Sequence, residues 1–145
     1  SEASAPRFGP FPAHRHDHHR HHPLDIPATL QMAHELSDHV ILIYQPHQNS
    51  RQYQIFEQYD DQLFKYADKV YWVPTYLTRE DPSLKTLTPS DLTEKIIDKT
   101  KLVISNLDEK LWKSVENDIN NGCLAIFMGA GTIDDWLRSK LSEEK

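Results

Sequence analysis

Apolar and polar positions alternate along the chain in short blocks. Val40-Ile41-Leu42-Ile43-Tyr44 is an unbroken apolar run rich in β-branched residues. A run that short, with no polar face, suits a strand buried on both sides, as in a parallel sheet. Val70-Tyr71-Trp72-Val73, Leu102-Val103-Ile104 and Cys123 to Met128 read the same way. Pro46 and Pro74 follow two of these runs and cannot donate to a ladder, so the strands should stop there. Between the runs the spacing turns helical. Ile26, Leu30, Ala33 and Leu36 share one face of a helix from Pro27. Ile55, Tyr59 and Leu63, with Phe56 and Tyr66 beside them, predict a helix over 52–67. Leu92 and Ile96 follow Thr88-Pro89-Ser90-Asp91, a cap, a first-turn proline and an acid suited to the positive helix end. Leu107, Leu111, Val115 and Ile119 form the next stripe, with Asn106 as its expected cap and Asn121-Gly122 closing it. Ile133, Trp136, Leu137 and Leu141 form the last. Strands alternating with helices predict a three-layer α/β domain. Its sheet is mainly parallel, of about four to six strands, with helices on both faces.

In such a sheet ligands bind outside the carboxyl ends of the strands. The first run ends in Gln45-Pro46-His47-Gln48-Asn49-Ser50-Arg51, an abrupt polar turn. His47 and Arg51 are therefore candidate binding residues, and Ser50 can cap the helix that follows; a solvated loop with one structural arginine is the alternative. The loop after Pro74 holds Tyr76, Arg79 and Glu80. Arg79 and Glu80 form either an exposed pair of little consequence or a border to the site. The last strand runs into Gly129-Ala130-Gly131-Thr132. Gly129 and Gly131 can let backbone amides approach an anion at a helix start, although a tight turn wants glycine anyway.

The totals narrow the choice. The chain has 145 residues and a formal charge of −6. One domain with a real core fits that length. The acidic balance, and an aromatic stripe without a basic groove, argue against nucleic acid as a partner. The single cysteine, Cys123, excludes an internal disulfide and reads as a small buried hydrophobe. No apolar run approaches the roughly 20 residues needed to span a bilayer, and no secretory pattern opens the chain. A reducing, cytoplasmic setting without membrane contact is expected. Residues 1–16 are expected to be a disordered arm or a cloning remnant, and 17–145 the α/β domain. Within and beyond that arm lies a histidine run, His14-Arg15-His16-Asp17-His18-His19-Arg20-His21-His22-Pro23. It reads as a metal-binding tract or a tag. His14, His16, His18 and His19 are candidates for adventitious metal only, since a low-complexity run fixes no coordination geometry.

Three stretches, in order, resemble the C-terminal domain of the Mur ligases. Tyr44-Gln45-Pro46-His47-Gln48-Asn49-Ser50-Arg51 resembles that family's Phe-Gln-Pro-His-Arg-Tyr-Ser-Arg segment. His21-His22-Pro23-Leu24-Asp25-Ile26 precedes it, where the family has Asp-Asp-Tyr-Ala-His-His-Pro and a helix start. Gly129-Ala130-Gly131-Thr132-Ile133 follows it. This gives the histidine run a third reading, as a divergent form of the first motif with Asp17 on its first aspartate. The resemblance covers about Asp17 to Leu141 and implies a Rossmann-like fold.

The resemblance also implies a function. The family makes peptidoglycan precursors for the cell wall. It activates the carboxylate of a UDP-sugar such as UDP-N-acetylmuramate with ATP and magnesium, and an amino acid amine attacks the acyl phosphate. The C-terminal domain closes over ATP held by a central domain; a further N-terminal domain holds the UDP-sugar. On that pattern His21, His47 and Arg51 would bind substrate. Asp17, His22, Ser50, Tyr76, Glu80, Gly129 and Gly131 would border the site. Tyr76 and Glu80 align with the family's Tyr-Pro-Ala-Gly-Glu loop. The departures are Gln48, where the family has its first arginine, His18, where it has the carboxylate for the ATP ribose, and His19 for its tyrosine. A confident first strand before Pro23 is missing. The family's Gly-Thr-x-Gly-Lys-Thr loop is absent from these 145 residues, so the chain alone is expected to be catalytically inactive. Two other readings stay open: a stand-alone nucleotide- or effector-binding module resting on the glycine loop, and a histidine-rich metal-binding protein.

Overall fold

The computed structural model describes residues 25–143. The arm over 1–16, the histidine run with Asp17, His21 and His22, and the last two residues lie outside the described residues. Helix α1 (Asp25–Leu36) leads to strand β1 (Val40–Tyr44) and helix α2 (Asn49–Ile55), which runs into a 3-10 turn at Phe56–Gln58. Strand β2 (Lys69–Trp72), the short helix α3 (Pro89–Leu92), strand β3 (Leu102–Ile104), helix α4 (Glu109–Asn120), strand β4 (Leu124–Met128) and helix α5 (Thr132–Glu143) complete the order.

The four strands form one sheet in the order β3-β2-β1-β4. Every pairing is parallel, with Leu42 beside Val70 on one side and Ile126 on the other. Alternate residues of β1 serve opposite faces. Val40, Leu42 and Tyr44 join a core with Ile26, Leu30 and Ala33 of α1 and with Ile55, Tyr59, Leu63 and Phe64. Ile41 and Ile43 join the other core, with Leu111, Trp112, Val115 and Ile119 of α4 and Ile133 and Leu137 of α5. The chain steps from β1 to β2 to β3 across one face, then returns to β4 across the other. Right-handed crossovers require that change of face when the direction reverses. The loops after β1 and β4 therefore leave toward opposite faces, and a crevice opens between the carboxyl ends of these two strands.

Trp72 centres the first core. Its ring lies edge-on to Tyr44 and Tyr59, with centroids 5.0 and 4.9 Å away, and Phe64 lies at 5.7 Å. The two phenols are satisfied in series. Tyr44 and Tyr59 hydroxyls are 2.8 Å apart, and Tyr59 donates to Gln52 Oε1 at 2.7 Å. Gln52 Nε2 donates in turn to the carbonyl of His47 at 2.9 Å. Burial pushes both phenols well above their ordinary ionisation range, so they stay neutral and the chain of bonds persists.

Several boundaries differ from the expectations. The helix expected over 52–67 starts earlier and stops at Ile55. The aspartates beyond it have other partners. Asp60 Oδ1 accepts from Leu63 N–H at 3.1 Å, and Asp61 accepts from the Ile97 and Asp98 amides at 2.7 and 2.9 Å. Such side-chain bonds offer the backbone an alternative to helix. Ile55, Tyr59 and Leu63 nevertheless all reach the core. Helix α4 is capped by Asp108, which accepts from Leu111 N–H at 2.9 Å, two residues later than the expected Asn106. Leu36, expected on the buried face, is exposed because α1 ends at that residue. Thr88 caps α3 with Pro89 in its first turn as expected, Asp91 completes a reciprocal capping box, and Gly122 takes φ +101° after α4.

Replacing Trp72 with Ala should remove the hub of the aromatic cluster and cost about 3–5 kcal/mol, read as a lower urea midpoint. A second outcome concerns acid. Hydrogen bonds from the Ile97 and Asp98 amides hold Asp61 below the usual carboxylate range, and bonds from Thr100 do so for Asp98. A depressed folded value means the unfolded chain binds protons first as pH falls. The stability these groups give is complete above roughly pH 4 and is lost as pH drops through their lowered values. Thermal midpoints measured downward from neutral pH should fall in that acid window, and Asp61→Asn should flatten the fall.

Candidate functional site

The carboxyl ends of β1 and β2 continue as two paired loops. Tyr76 N–H donates to Pro46 O at 2.9 Å, and Gln48 N–H donates to Tyr76 O at 2.7 Å. His47 and Tyr76 thus form an isolated parallel bridge, with their rings stacked 5.7 Å apart at 22°. Gln48 holds φ +65° and Arg79 φ +48°, both in the region that non-glycine residues rarely adopt. Gln48 Nε2 reaches across to the Thr78 and Arg79 carbonyls at 3.2 and 3.3 Å. The residue standing where a family arginine is expected therefore ties the two loops together.

The start of α2 is capped from a distance. No side chain of its own N-cap residue, Gln48, does so. Glu80 supplies both carboxylate oxygens: Oε2 accepts from Asn49 N–H at 2.9 Å and Oε1 from Ser50 N–H at 3.1 Å. Oε2 also accepts from Thr78 N–H at 2.8 Å. Ser50, a possible cap, does not cap α2, and Glu80, readable as an exposed pair with Arg79 or as a border to the site, is engaged by backbone amides. A carboxylate can take donors from two segments at once, and its charge suits a helix start. The buried Asn49 side chain adds a second tie, accepting from Leu87 N–H at 2.8 Å and donating to Lys85 O at 3.1 Å. Arg51 stands on the first turn of α2, half-buried. Its positive charge is felt by the Tyr44 and Tyr59 hydroxyls beneath it. Among the described residues no carboxylate forms an ion pair with it.

The crevice between β1 and β4 is filled by Gln45. This side chain, 4% exposed, accepts from Ile133 N–H at 3.0 Å and donates to Thr132 Oγ1 at 3.0 Å and to Pro74 O at 3.3 Å. The glycines answer to the same crowding. A Cβ on Gly129 would stand 2.7 Å from Ile133 Cγ2 and 3.0 Å from Gln45 Cβ, and its φ of +155° favours glycine. A Cβ on Gly131 would stand 2.6 Å from Tyr76 Cβ and closer still to the ring. The glycine loop is shaped around Tyr76 and Gln45. Two clefts of about 390 Å³ flank Tyr76. One is lined by Gly131, Thr132, Asp134, Asp135 and Arg138. The other is lined by Gln45, Thr75, Leu77, Asn106 and Leu107, among others.

The structure thus brings His47, Ser50, Arg51, Tyr76, Glu80, Gly129 and Gly131 to one end of the sheet. Asp17, His21 and His22 lie outside the described residues. Gln45, Asn49 and Gln52 were not singled out from sequence, although a polar residue directly after an apolar strand, as at Gln45, is a usable signal. Among the described residues no group of three or more His, Cys, Asp or Glu side chains is placed to hold a metal ion, and no helix is long and apolar enough to cross a membrane.

No family model matches the chain. Curated relatives do. A UDP-N-acetylmuramate–L-alanine ligase of Lachnospira eligens is 38% identical over 120 residues, which is 81% of this chain and 26% of that protein. Ligases of the same name from Rickettsia felis and Jannaschia sp. are 34% and 33% identical, covering 83% and 88% of this chain. The chain spans 26% and 28% of their lengths, about a quarter.

Gly131→Ala should destabilise the fold by about 1–3 kcal/mol, because the new methyl meets the Tyr76 ring. In a Tyr76→Gly background, which removes the ring and its Cβ alike, the same change should cost less than about 0.5 kcal/mol. A double-mutant cycle by urea unfolding reads the coupling between the two residues.

Proposed function

This chain belongs to the Mur ligases as a match to one region of them, and on that premise we propose that it is the C-terminal domain of an ATP-dependent ligase. The ligase would join an amino acid to the carboxylate of UDP-N-acetylmuramate in peptidoglycan precursor synthesis. The observation that supports this reading best is the placement of Arg51. A guanidinium on the first turn of a helix, at the carboxyl end of the central strand and with no internal carboxylate partner among the described residues, suits a bidentate contact to an amino acid carboxylate.

The chemistry assigned to this chain is binding and positioning. Arg51 would hold the carboxylate of the incoming amino acid. The stacked His47 and Tyr76 would form the wall beside it, and on the family's pattern His21 would also bind substrate. Fixing the amino acid this way aims its amine at the acyl phosphate formed elsewhere in the ligase. The amine nitrogen bonds to the acyl carbon and loses a proton, the carbon–oxygen bond to phosphate breaks, and phosphate leaves with the bonding electrons and takes up that proton. Closing this domain over that centre would keep water from hydrolysing the acyl phosphate. ATP and magnesium belong in this proposal to the central domain. The N-terminal UDP-sugar domain would complete the enzyme, and the isolated chain would not catalyse ligation.

Steady-state kinetics of the full-length ligase that carries this chain test the assignment. Arg51→Ala should raise the KM for the amino acid by roughly ten- to a hundredfold, the worth of a charge-assisted contact. The KM for ATP should stay within about twofold. Arg51→Lys should restore only part of the loss, because an ammonium cannot make the two-pronged contact. An amino acid KM unmoved by both variants would overturn the assignment.

A further inference from the structure

We propose that Glu80 is a positioning residue for amino acid binding: its carboxylate locks the loop carrying Tyr76 to the first turn of α2 and so sets where Arg51 and His47 stand. The proposal rests on the reading of Arg51 given above. It starts from donor accounting. Helix α2 has only seven residues and ends in a 3-10 turn, so local propensity alone does not hold it. Its first amides have no partner within the helix. Glu80 meets Asn49 N–H and Ser50 N–H with separate oxygens and takes Thr78 N–H as well, at 2.9, 3.1 and 2.8 Å. One side chain therefore closes a span of thirty residues between two loops.

The backbone beside the clamp supports a positioning role. Gln48 at φ +65° and Arg79 at φ +48° flank the carboxylate, one on each loop. Conformations of that kind persist only where the surroundings over-determine them. Arg51 N–H donates to Gln48 O at 3.1 Å, so the residue that carries the guanidinium hangs from the strained one. The Gln48 amide, the Asn49 side chain and the Tyr53 hydroxyl, which donates to Lys85 O at 2.5 Å, tie the same segments at other points. These should keep the chain folded when the carboxylate is changed, leaving the first turn of α2 loosened rather than lost. Glu80→Gln keeps the shape but directs an NH2 group at one of the amides. Glu80→Asp keeps the charge on a stem one methylene shorter.

The test has two arms. In the full-length ligase, Glu80→Gln should raise the amino acid KM about tenfold with kcat and the KM for ATP within twofold. Glu80→Asp should fall between the two. In the chain of residues 1–145, hydrogen exchange at Asn49, Ser50 and Thr78 should quicken more than tenfold, while Leu42 and Ile126 in the sheet keep their protection. An unchanged amino acid KM overturns the proposal, even with faster exchange, because Glu80 then serves the fold alone. Unchanged exchange overturns it too. If the Arg51 variants are silent while Glu80→Gln raises KM, the assignment of Arg51 fails and the clamp survives it.

Discussion

Amides at the starts of α2 and α5 must find acceptors, and in this chain they find them on distant side chains. A helix start leaves its first N–H groups without intrahelical partners. In many α/β proteins such groups face a bound anion. Here Glu80 covers α2 and Gln45 covers the Ile133 amide of α5. Both solutions are internal, and both bind loops that leave different strands. The shape of the sheet's carboxyl end follows from them. Gln45 closes the crevice between β1 and β4, Gly129 and Gly131 leave room for Gln45 and Tyr76, and Tyr76 stacks on His47. What remains for a ligand is a side-chain surface around Arg51 and the clefts beside Tyr76.

The core reaches this surface through one line of bonds. Tyr44, Tyr59 and Gln52 carry hydrogen bonding from beneath the sheet's central strand to the carbonyl of His47. Each of the three is almost fully buried. A buried polar group is costly when unpaired and specifying when fully paired. The chain of bonds therefore fixes the height of the His47 loop above the aromatic cluster around Trp72. A second polar group, buried Tyr71 and Asp118 with the part-exposed Lys69, sits at the opposite end of the sheet and ties β2 to α4. It takes no part in the proposed site.

The strands were legible because a parallel sheet buries both faces, and that writes a short apolar run into the sequence. The strand that leads into the His47 loop was legible for that reason, as was the cap at Thr88. What failed was long-range. Ser50 looked like a cap because it stands at the right local spacing, while the carboxylate that caps α2 comes from residue 80. The helix expected to reach Ala67 broke because Asp60 and Asp61 bond to backbone amides, one of them thirty-six residues away. Asn106 lost its place to Asp108, an equally good cap two positions on. Gly131 could be read as serving an anion or a tight turn; the ring that needs its space, Tyr76, lies far off in sequence. Spacing reveals periodic burial, but it does not reveal which side chain arrives from elsewhere to satisfy a polar group.

The central claim is that this chain presents the amino acid to an acyl phosphate made elsewhere in the same ligase. The most direct measurement is phosphate release by the full-length ligase, with and without the amino acid, compared with the same ligase lacking the region from residue 25 onward. The account predicts that the shortened protein loses all amide formation and all stimulation of phosphate release by the amino acid. A shortened ligase that still forms the amide at a comparable rate would contradict it.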